Sequence, residues 1–415
     1  MEENKQAILL LSANFSTTRR GDPTPLTPLE YGRFARWLQE HSYQPADLFH
    51  RFDELSEQWL DPKGKITADR LAFLLGRGMA MGLALEKWQS AGIWVLSRSD
   101  SEYPLRLKQS LGTAAPAVLF GVGNKRLLNV GGLAIVGSRE IDESDQVYTS
   151  QIAKKAALER LNVVSGGARG VDEIAMIAAL EANGTAVGVV ANGLFKATLA
   201  TKWRRFIKQN QLVLVSPFQP EAPFNVGNAM GRNKYIYAIS DYALAVRSEA
   251  EKGGTWAGAI ENLRKGWAPL FVKLPSDGTG NEVLCSMGAA ELDLRERKPA
   301  KDEWLTEQLQ QHRQRPESSS SEQEEVSGTI DEPPLEAVSH DSGYEEFTQF
   351  VLQRIQTEGQ VKLSELKELR TELRQRQLTE WLDRMEEEGR VERMGRLRTY
   401  NAAGSGGKQI DIFES

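Results

Sequence analysis

The spacing of hydrophobic and polar positions divides the chain into regions of different character. Between about residues 25 and 95, apolar side chains such as Tyr31, Phe34 and Leu38 recur at the three- and four-residue spacing of amphipathic helices. This spacing predicts a helical N-terminal domain over residues 1–100. We expect that domain to serve packing or protein contact, because no motif within it suggests chemistry.

Between residues 101 and 300 the pattern changes to short apolar runs that alternate with helical stretches. Strands that are apolar along their whole length, with helices between them, are typical of a parallel sheet covered on both faces. Glycines cluster where the runs end, and ligands bind at that edge of such sheets. The pattern therefore predicts an α/β domain. The predicted strands lie in residues 133–138, 162–170, 186–193, 212–217, 243–248 and 269–274.

The C-terminal part of the chain begins with a polar segment, residues 301–342, that contains the run RPESSSSEQEE. Such a composition buries too little apolar surface to order itself, so we expect a flexible linker. Residues 343–404 then show three amphipathic stretches followed by a hairpin pattern, which predicts a winged-helix domain. The three predicted helices cover Phe347 to Ile355, residues 363–369 and residues 374–389; the hairpin covers residues 390–402, and residues 405–415 are expected to be a disordered tail.

Composition narrows the classes of function. The chain of 415 residues is long enough for two or three domains, and its net charge of -6 requires any nucleic-acid site to be a local basic patch. Cys285 is the only cysteine and the 4 histidines are scattered, so we expect no disulfide, no metal site and no cofactor. The N-terminus lacks the charge pattern of a signal peptide and no run is long enough to span a membrane, so we expect a cytoplasmic protein.

The first candidate motif is VGSRE, residues 136–140, where a predicted strand ends. Gly137 permits a tight turn, and the helix that follows can direct backbone N–H groups toward an anion. Ser138 and Arg139 can add side-chain donors. A plain strand-to-helix turn with an exposed arginine explains the same residues equally well.

A second glycine turn, SGGARGVDEIA, spans residues 165–175. Gly166 and Gly167 allow a ligand to approach the backbone, and Arg169 stands at the positive end of the next helix. Asp172, in the first turn of that helix, suits either a capping role or contact with a ligand. The spacing of a dinucleotide fingerprint or of a phosphate-loop lysine is absent.

The third motif is GRNKYIYAISD, which places Arg232, Asn233 and Lys234 just before a predicted helix. Two cations and an amide suit a phosphodiester backbone. Tyr235 and Tyr237 are able to stack on bases, although positions in the core explain them better.

The fourth motif, KGGTWAGAIENL, is another glycine turn into a helix and includes Gly253, Gly254 and Thr255. Each of the four turns is a weak signal alone. Because the carboxyl ends of parallel strands meet at one edge of a sheet, the four together predict a continuous basic surface along that edge.

Taken in order, VGSR, SGGARGVDEIA, GRNK and EAEKGGTWAGA resemble the motifs of the DNA-processing protein A (DprA/Smf) family, and the resemblance covers roughly residues 100–292. It implies an extended Rossmann-like core that binds single-stranded DNA without being an enzyme. It also implies a homodimer that passes DNA to a RecA-type recombinase. The DNA contacts that it implies are Ser138, Arg139, Gly166, Gly167, Arg169, Arg232, Asn233, Lys234, Gly253, Gly254 and Thr255.

This sequence departs from the family pattern in two places that bear on function. Lys234 stands where an arginine with its planar, bidentate side chain is usual, and Met176 stands where a histidine is usual. The departures leave the pathway open between DNA uptake in natural transformation, recombination and genome defence.

A second class of function also stays open. The glycine turns resemble those of Rossmann-like nucleotide-binding sensors and nucleotide hydrolases, in which Glu249, Glu251 or Glu261 would act as the general base. The sequence offers no compact acid–base pair, however, and surface positions explain these glutamates better.

Overall fold

The chain folds into two compact units, Met1–Ser320 and Ser321–Ser415. Each unit has an apolar core of its own. The computed structural model describes residues 2–15, 21–191, 193–274, 279–292, 304–313, 341–358, 361–362, 366, 381–382, 385–386, 390–394 and 399–402.

Before residue 94, the described part of the chain consists of helices, as predicted. They are α1 (Glu3–Ser12), α2 (Pro28–Glu40), the 3₁₀ turn Pro45–Phe49, α3 (Phe52–Gln58), α4 (Ala68–Leu75) and α5 (Gly78–Ser90). The start of α2 is fixed by a capping box, in which the Thr27 hydroxyl accepts from Glu30 N (3.3 Å) and the Glu30 carboxylate accepts from Thr27 N (2.8 Å). Phe34 and Trp88, both fully buried, anchor the apolar core between these helices.

A sheet of nine strands follows, in the order β1-β2-β6-β5-β4-β3-β7-β8-β9. The strands are β1 (Trp94–Ser97), β2 (Val118–Gly123), β3 (Leu133–Val136), β4 (Val163–Ser165), β5 (Ala186–Val189), β6 (Leu212–Ser216), β7 (Tyr242–Ala245), β8 (Leu270–Val272) and β9 (Ala290–Glu291). The helices between them are α6 (Leu105–Leu111), α7 (Glu143–Leu158), α8 (Val171–Glu181), α9 (Leu194–Leu199), α10 (Thr201–Lys208), α11 (Val226–Ala238), α12 (Gly253–Lys265) and α13 (Thr279–Ser286), with 3₁₀ turns at Gly112–Ala114 and Lys125–Asn129.

Helices cover both faces of this sheet, which is the predicted α/β arrangement. Leu133 and Ile135 of β3 pack into one core with α7 and α8, whereas the alternate residues Ala134 and Val136 pack into another with α11 and α12. This period of two places every side chain of β3 in an apolar core. The continuous apolar runs in the sequence follow from that burial.

The six predicted strands are β3 to β8, and they are parallel to one another. The sheet as a whole is mixed, because β2 pairs antiparallel with β6 and β1 pairs antiparallel with β2. Strands β1, β2 and β9 were not predicted, and β1 lies in the region that the sequence assigns to helices. The pairing of β1 with β2 depends on a tertiary contact, in which the Trp94 ring lies over Gly121, where any side chain would overlap it.

The order of the strands reverses at β3, which lies between β4 and β7. From β3 the chain passes through α7 to β4, and after β6 it returns through α11 to β7 on the other side of β3. Ligands of open α/β sheets bind at the carboxyl ends of the strands beside such a reversal. The loops after β3, β4 and β7 therefore border the expected ligand site.

The segment predicted as a linker, residues 301–342, contains helix α14 (Trp304–Arg313), so it is not flexible throughout. Trp304, Leu305 and Leu309 are buried against α7. The Glu159 carboxylate caps the helix by accepting from Leu305 N (3.1 Å) and Thr306 N (2.7 Å). Three apolar residues within a polar run order this helix because α7 offers them an apolar surface.

The C-terminal unit contains helix α15 (Asp341–Glu358) and a three-stranded sheet in the order β10-β12-β11. The strands are β10 (Val361–Lys362), β11 (Val391–Met394) and β12 (Thr399–Ala402). The predicted hairpin is confirmed by the antiparallel pairing of β11 with β12. The second and third predicted helices lie mostly outside the described residues, as does the predicted tail, so the winged-helix assignment stays a prediction.

No helix in the described ranges is long and apolar enough to cross a membrane. In the same ranges, no group of three or more histidine, cysteine or carboxylate side chains is placed to hold a metal ion.

Candidate nucleic-acid interface

The turn after β3 packs directly on the start of α8. Ser138 N donates to Arg247 O (3.0 Å), and Val171 N donates to Ser138 O (3.3 Å). Gly170, with φ +90°, stands at the N-cap of α8, and a Cβ there would lie 2.8 Å from the Cα of Arg139. Glycine is therefore required for this approach, which places the first two motifs side by side.

Asp172 holds the loop between β4 and α8. Its buried carboxylate accepts hydrogen bonds from the backbone N–H groups of Ala168 and Gly166, while the Ser165 hydroxyl donates to Ile135 O (2.6 Å). Burial raises the pKa of this carboxyl, and the positive charge of Arg232 opposes that rise. These contacts agree with the predicted capping role, in which Asp172 anchors the loop before α8. The N–H groups of Gly166 and Ala168 are thereby occupied, so these two are not available as donors to an anion.

Arg232 is a buried cation without hydrogen-bond partners for two of its nitrogens. The residue is 5% exposed, and its Nε and Nη1 atoms are buried without a partner. It reaches the loop after β4 across Gly166, where a Cβ would overlap Nη1. Burial lowers the pKa of the guanidinium, Asp172 opposes this, and the charge of Arg139 lowers the pKa further. Asp172 offsets part of the charge, but buried donors without acceptors are unfavourable, so the two free nitrogens are typical of a site for an anion.

Arg139 and Arg169 lie beside this group in an open cleft of about 620 Å³ between α7 and α8. Both side chains are exposed. Together with Arg232 they form what we call the arginine rim (Arg139, Arg169 and Arg232), at the carboxyl edge of the sheet where the sequence predicted a basic surface. The α7 side of the cleft adds Gln146, Ser150 and Lys154.

An aromatic ring that the sequence analysis missed lies at the arginine rim. The Arg139 guanidinium lies over the ring of Phe224, with 5.4 Å to the ring centroid, and Phe224 is 50% exposed. An exposed phenylalanine in the loop before α11 is unusual for a residue of that type. Its only signal in the sequence is its place in a proline-containing loop, which does not reveal exposure.

A second missed feature is the basic helix α10. Lys202, Arg204, Arg205 and Lys208 are exposed, while Trp203 and Phe206 are buried. Two of these cations neutralise acidic residues of the cleft wall: Lys202 pairs with Glu173 (2.7 Å) and Arg205 with Glu181 (2.9 Å). The sequence TKWRRFIK carries the signal, because its apolar positions Trp203, Phe206 and Ile207 follow helical spacing and the others are polar.

The third motif lies within helix α11 rather than before a helix. Asn233 Nδ2 donates to Gly254 O (2.9 Å), so it connects α11 to the first turn of α12, which contains the fourth motif. Lys234 Nζ lies 5.2 Å from the ring centroid of Tyr235, and no contact places it with the arginine rim.

The tyrosines of the third motif are core residues. Tyr235 and Tyr237 are 5% and 1% exposed, and burial raises the pKa of Tyr235 to about 12. Neither ring is available to stack on a base. Glu249, Glu251 and Glu261, the candidate bases of a hydrolase, are exposed, and none of them lines the cleft.

Comparison with known proteins agrees with the motifs. Residues 94–292 match the model of the family described as DNA recombination-mediator protein A. The chain is 27% identical over 186 residues to DNA processing protein DprA of Bacillus subtilis (strain 168), a match that covers 44% of this chain and 61% of that protein. It is 31% identical over 189 residues to Protein Smf of Escherichia coli (strain K12), covering 44% of this chain and 49% of that protein.

Solved structures of two DprA proteins are also similar. The X-ray structure of DprA from Streptococcus pneumoniae has a TM-score of 0.47 and 21% identity, and covers 65% of this chain and 95% of that one. The structure of DprA from Helicobacter pylori, described as showing a single-stranded DNA binding mode, has a TM-score of 0.43 and 23% identity, and covers 53% and 96%.

The chain spans about half to three fifths of the length of the curated relatives. The matched residues include all four motifs, the whole arginine rim and every strand of the nine-stranded sheet. Over residues 94–292, the chain is similar to proteins of the DprA/Smf family.

Proposed function

We propose that this chain binds single-stranded DNA along the arginine rim and acts in DNA processing by binding rather than by catalysis. The observation that carries the proposal is the Arg232 guanidinium, which is buried at the carboxyl edge of the sheet with unpartnered nitrogens. A phosphate at this position would give those nitrogens the acceptors they lack. Arginine suits this role because its planar fork binds phosphate through two parallel hydrogen bonds.

The neighbouring side chains extend such a contact along a strand. Arg139 and Arg169, both exposed in the cleft, are able to contact the phosphates on either side of the one at Arg232. The Phe224 ring beside Arg139 offers a face to a base. Stacking on that ring requires a base with a free face, which single strands provide and an intact duplex does not. The ring therefore favours single-stranded over double-stranded DNA.

Binding of fluorescent oligothymidine, measured by anisotropy across a salt series, tests the proposal. Each phosphate contact contributes a log–log salt slope of about -0.7, so three contacts predict about -2. The double variant Arg139→Ala, Arg232→Ala should bind more weakly and with a shallower slope. The control is Arg126→Ala, an exposed arginine of the turn Lys125–Asn129 that lines neither the rim nor the cleft. Unchanged affinity in the double variant would refute the assignment.

The oligomeric state, the protein partner and the pathway belong to the same proposal. A homodimer that passes DNA to a RecA-type recombinase, in DNA uptake, recombination or genome defence, agrees with the family's description as a recombination mediator. Light scattering of the purified chain, with and without oligothymidine, measures the oligomeric state. Incubation with nucleoside monophosphates tests the absence of catalysis, because release of free base would favour a nucleotide hydrolase.

A further inference from the structure

A second cavity, lined by none of the four sequence motifs, lies where the N-terminal helices meet the loop after β1. It has a volume of about 540 Å³ and is open to solvent. Its walls come from α1, α2, the turn Pro45–Phe49, the loop after β1 and the turn Gly112–Ala114. None of the residues of the arginine rim lines it.

Arg98 supplies a positive charge and a hydrogen-bond donor to this cavity. The Arg98 backbone N donates to Ala117 O (3.0 Å), which fixes the residue at the end of β1. Its Nη1 atom is buried without a hydrogen-bond partner. The nearby carboxylate of Asp100 is already bound, since it accepts from Ser97 N (2.6 Å) and pairs with Lys5 (3.1 Å). The guanidinium of Arg98 is therefore left with an unused donor beside the cavity.

The other lining residues leave the positive charge uncompensated. Arg36 of α2 is a second cation in the wall, and the described residues that line the cavity include no carboxylate. The charge of Arg98 also reaches its neighbours: burial raises the pKa of Tyr31 and Arg98 opposes that rise, while burial and then Arg98 lower the pKa of Lys108. Two arginines without a carboxylate select for an anion and against a cation.

The walls are held in place by contacts of their own. Asn4 Nδ2 donates to Gln44 Oε1 (2.8 Å), and Ala46 N donates to Asn4 Oδ1 (3.0 Å). Gly32 of α2 packs against the backbone of Thr113 so closely that any side chain there would overlap it. A cavity whose walls are already ordered requires little rearrangement to bind a ligand.

The size and the apolar part of the lining indicate the class of ligand. A volume of 540 Å³ falls within the range of small-molecule sites. Tyr43 adds an aromatic ring to the lining, and the buried residues Ile8 and Leu38 add apolar atoms beneath it. We propose that this cavity binds a phosphate-bearing small molecule of nucleotide size, with the phosphate on Arg98 and Arg36 and the ring against the apolar wall.

Calorimetric titration of the full chain with adenosine monophosphate, and separately with inorganic phosphate, tests this proposal. Arg98→Gln should weaken binding of adenosine monophosphate about tenfold or more, because a charge-assisted contact is lost. The same variant should bind oligothymidine as the wild type does. Arg126→Gln, an exposed arginine outside the cavity, should change neither affinity. Tighter binding of the nucleotide than of inorganic phosphate would identify the apolar wall as part of the site.

The design separates this site from the arginine rim. If adenosine monophosphate occupies the rim instead, the Arg139→Ala, Arg232→Ala variant abolishes its binding and Arg98→Gln does not, and the proposal is overturned. It is also overturned if no saturable binding is observed at millimolar concentrations. Circular dichroism checks the folding of Arg98→Gln; if that variant is unfolded, Arg36→Gln, which alters an exposed side chain, decides by the same criteria.

Discussion

Gly166 is the residue on which the geometry of the arginine rim depends most directly. It is small enough to let the Arg232 side chain cross the loop after β4, and its N–H donates to the Asp172 carboxylate. A methyl group at this position has no room, because it would overlap both the Arg232 guanidinium and an Asp172 oxygen. One of the two charged side chains would have to move.

We therefore predict that Gly166→Ala displaces Arg232 and lowers both stability and DNA affinity. Overpacking of this kind costs about 1–3 kcal/mol of the free energy of unfolding. Urea unfolding and oligothymidine anisotropy measure the two effects. Gly231→Ala is the matched control, since a Cβ at Gly231 in α11, next to Arg232, meets no atom within 4 Å. Equal DNA affinity in the two variants would show that Arg232 does not contact the strand.

Phe224 provides a prediction that separates stacking from charge. Phe224→Ala should weaken single-strand binding by about 1–3 kcal/mol, the contribution of stacking one base on an aromatic ring. The salt slope should stay unchanged, because no phosphate contact is removed. Val226→Ala is the control, because Val226 is a neighbouring residue that is 66% exposed and has no ring. A shallower slope in Phe224→Ala would mean that the ring acts by positioning Arg139 instead.

At the level of single residues, the sequence identified cations but not aromatic contacts. Arg139 and Arg169 could be predicted because each lies in the glycine turn that follows an apolar strand. The proximity of Arg232 to them could not be derived from its own helix, since it depends on how α11 packs across Gly166. The exposure of Phe224 likewise depends on which loop surface the sheet leaves uncovered.

At the level of elements, the strands that could be predicted from the sequence are those buried on both faces. Strands β3 to β8 are covered on both faces, so their apolar runs are visible in the sequence. The edge strand β1 follows helix α5 closely and continues its apolar pattern. Helix α14 lies in a polar segment and becomes ordered only through contacts with α7, so no local signal identifies it.

Glu159 is the residue that joins α14 to α7. Its carboxylate is 1% exposed, accepts from Leu305 and Thr306, and pairs with Lys155 (3.0 Å). Burial raises the pKa of Glu159, but these hydrogen bonds and the ion pair together hold it below its ordinary value of 4.5. Because the pKa is lower in the folded than in the unfolded chain, the stabilisation is complete above pH 4.5 and is lost as the pH falls through the lowered value.

Glu159→Gln should therefore destabilise the fold by about 1–3 kcal/mol at neutral pH and reduce the loss of stability below pH 4.5. Thermal unfolding across pH measures both effects. Glu181→Gln breaks the exposed pair with Arg205, and it should cost less than about 1 kcal/mol. If the two variants were equally stable at neutral pH, the cap would not hold α14 to α7.

At the scale of the whole molecule, the two candidate sites differ in how much of each lies within the residues that match the family. The arginine rim lies entirely within residues 94–292, the part that is shared with relatives. The cavity beside Arg98 takes half of its wall from α1 and α2, which lie outside the match. The rim is thus a property of the shared core, whereas the cavity requires the N-terminal helices of this chain.

The distribution of charge over the molecule leads to a last prediction. A net charge of -6 repels DNA at long range, so approach depends on where the cations are concentrated. Helix α10 concentrates four exposed cations next to the cleft, and two of them, Arg204 and Lys208, have no ion-pair partner in the described part of the chain.

Reversing Arg204 and Lys208 to glutamate should slow association with oligothymidine at low salt. The effect should fade as salt shortens the screening length to about 8 Å. Stopped-flow association rates measure this, with Lys63→Glu, Lys65→Glu in the loop between α3 and α4 as a control of equal net charge and similar exposure. If both pairs slow association equally, the net charge governs approach and α10 does not direct the strand to the arginine rim.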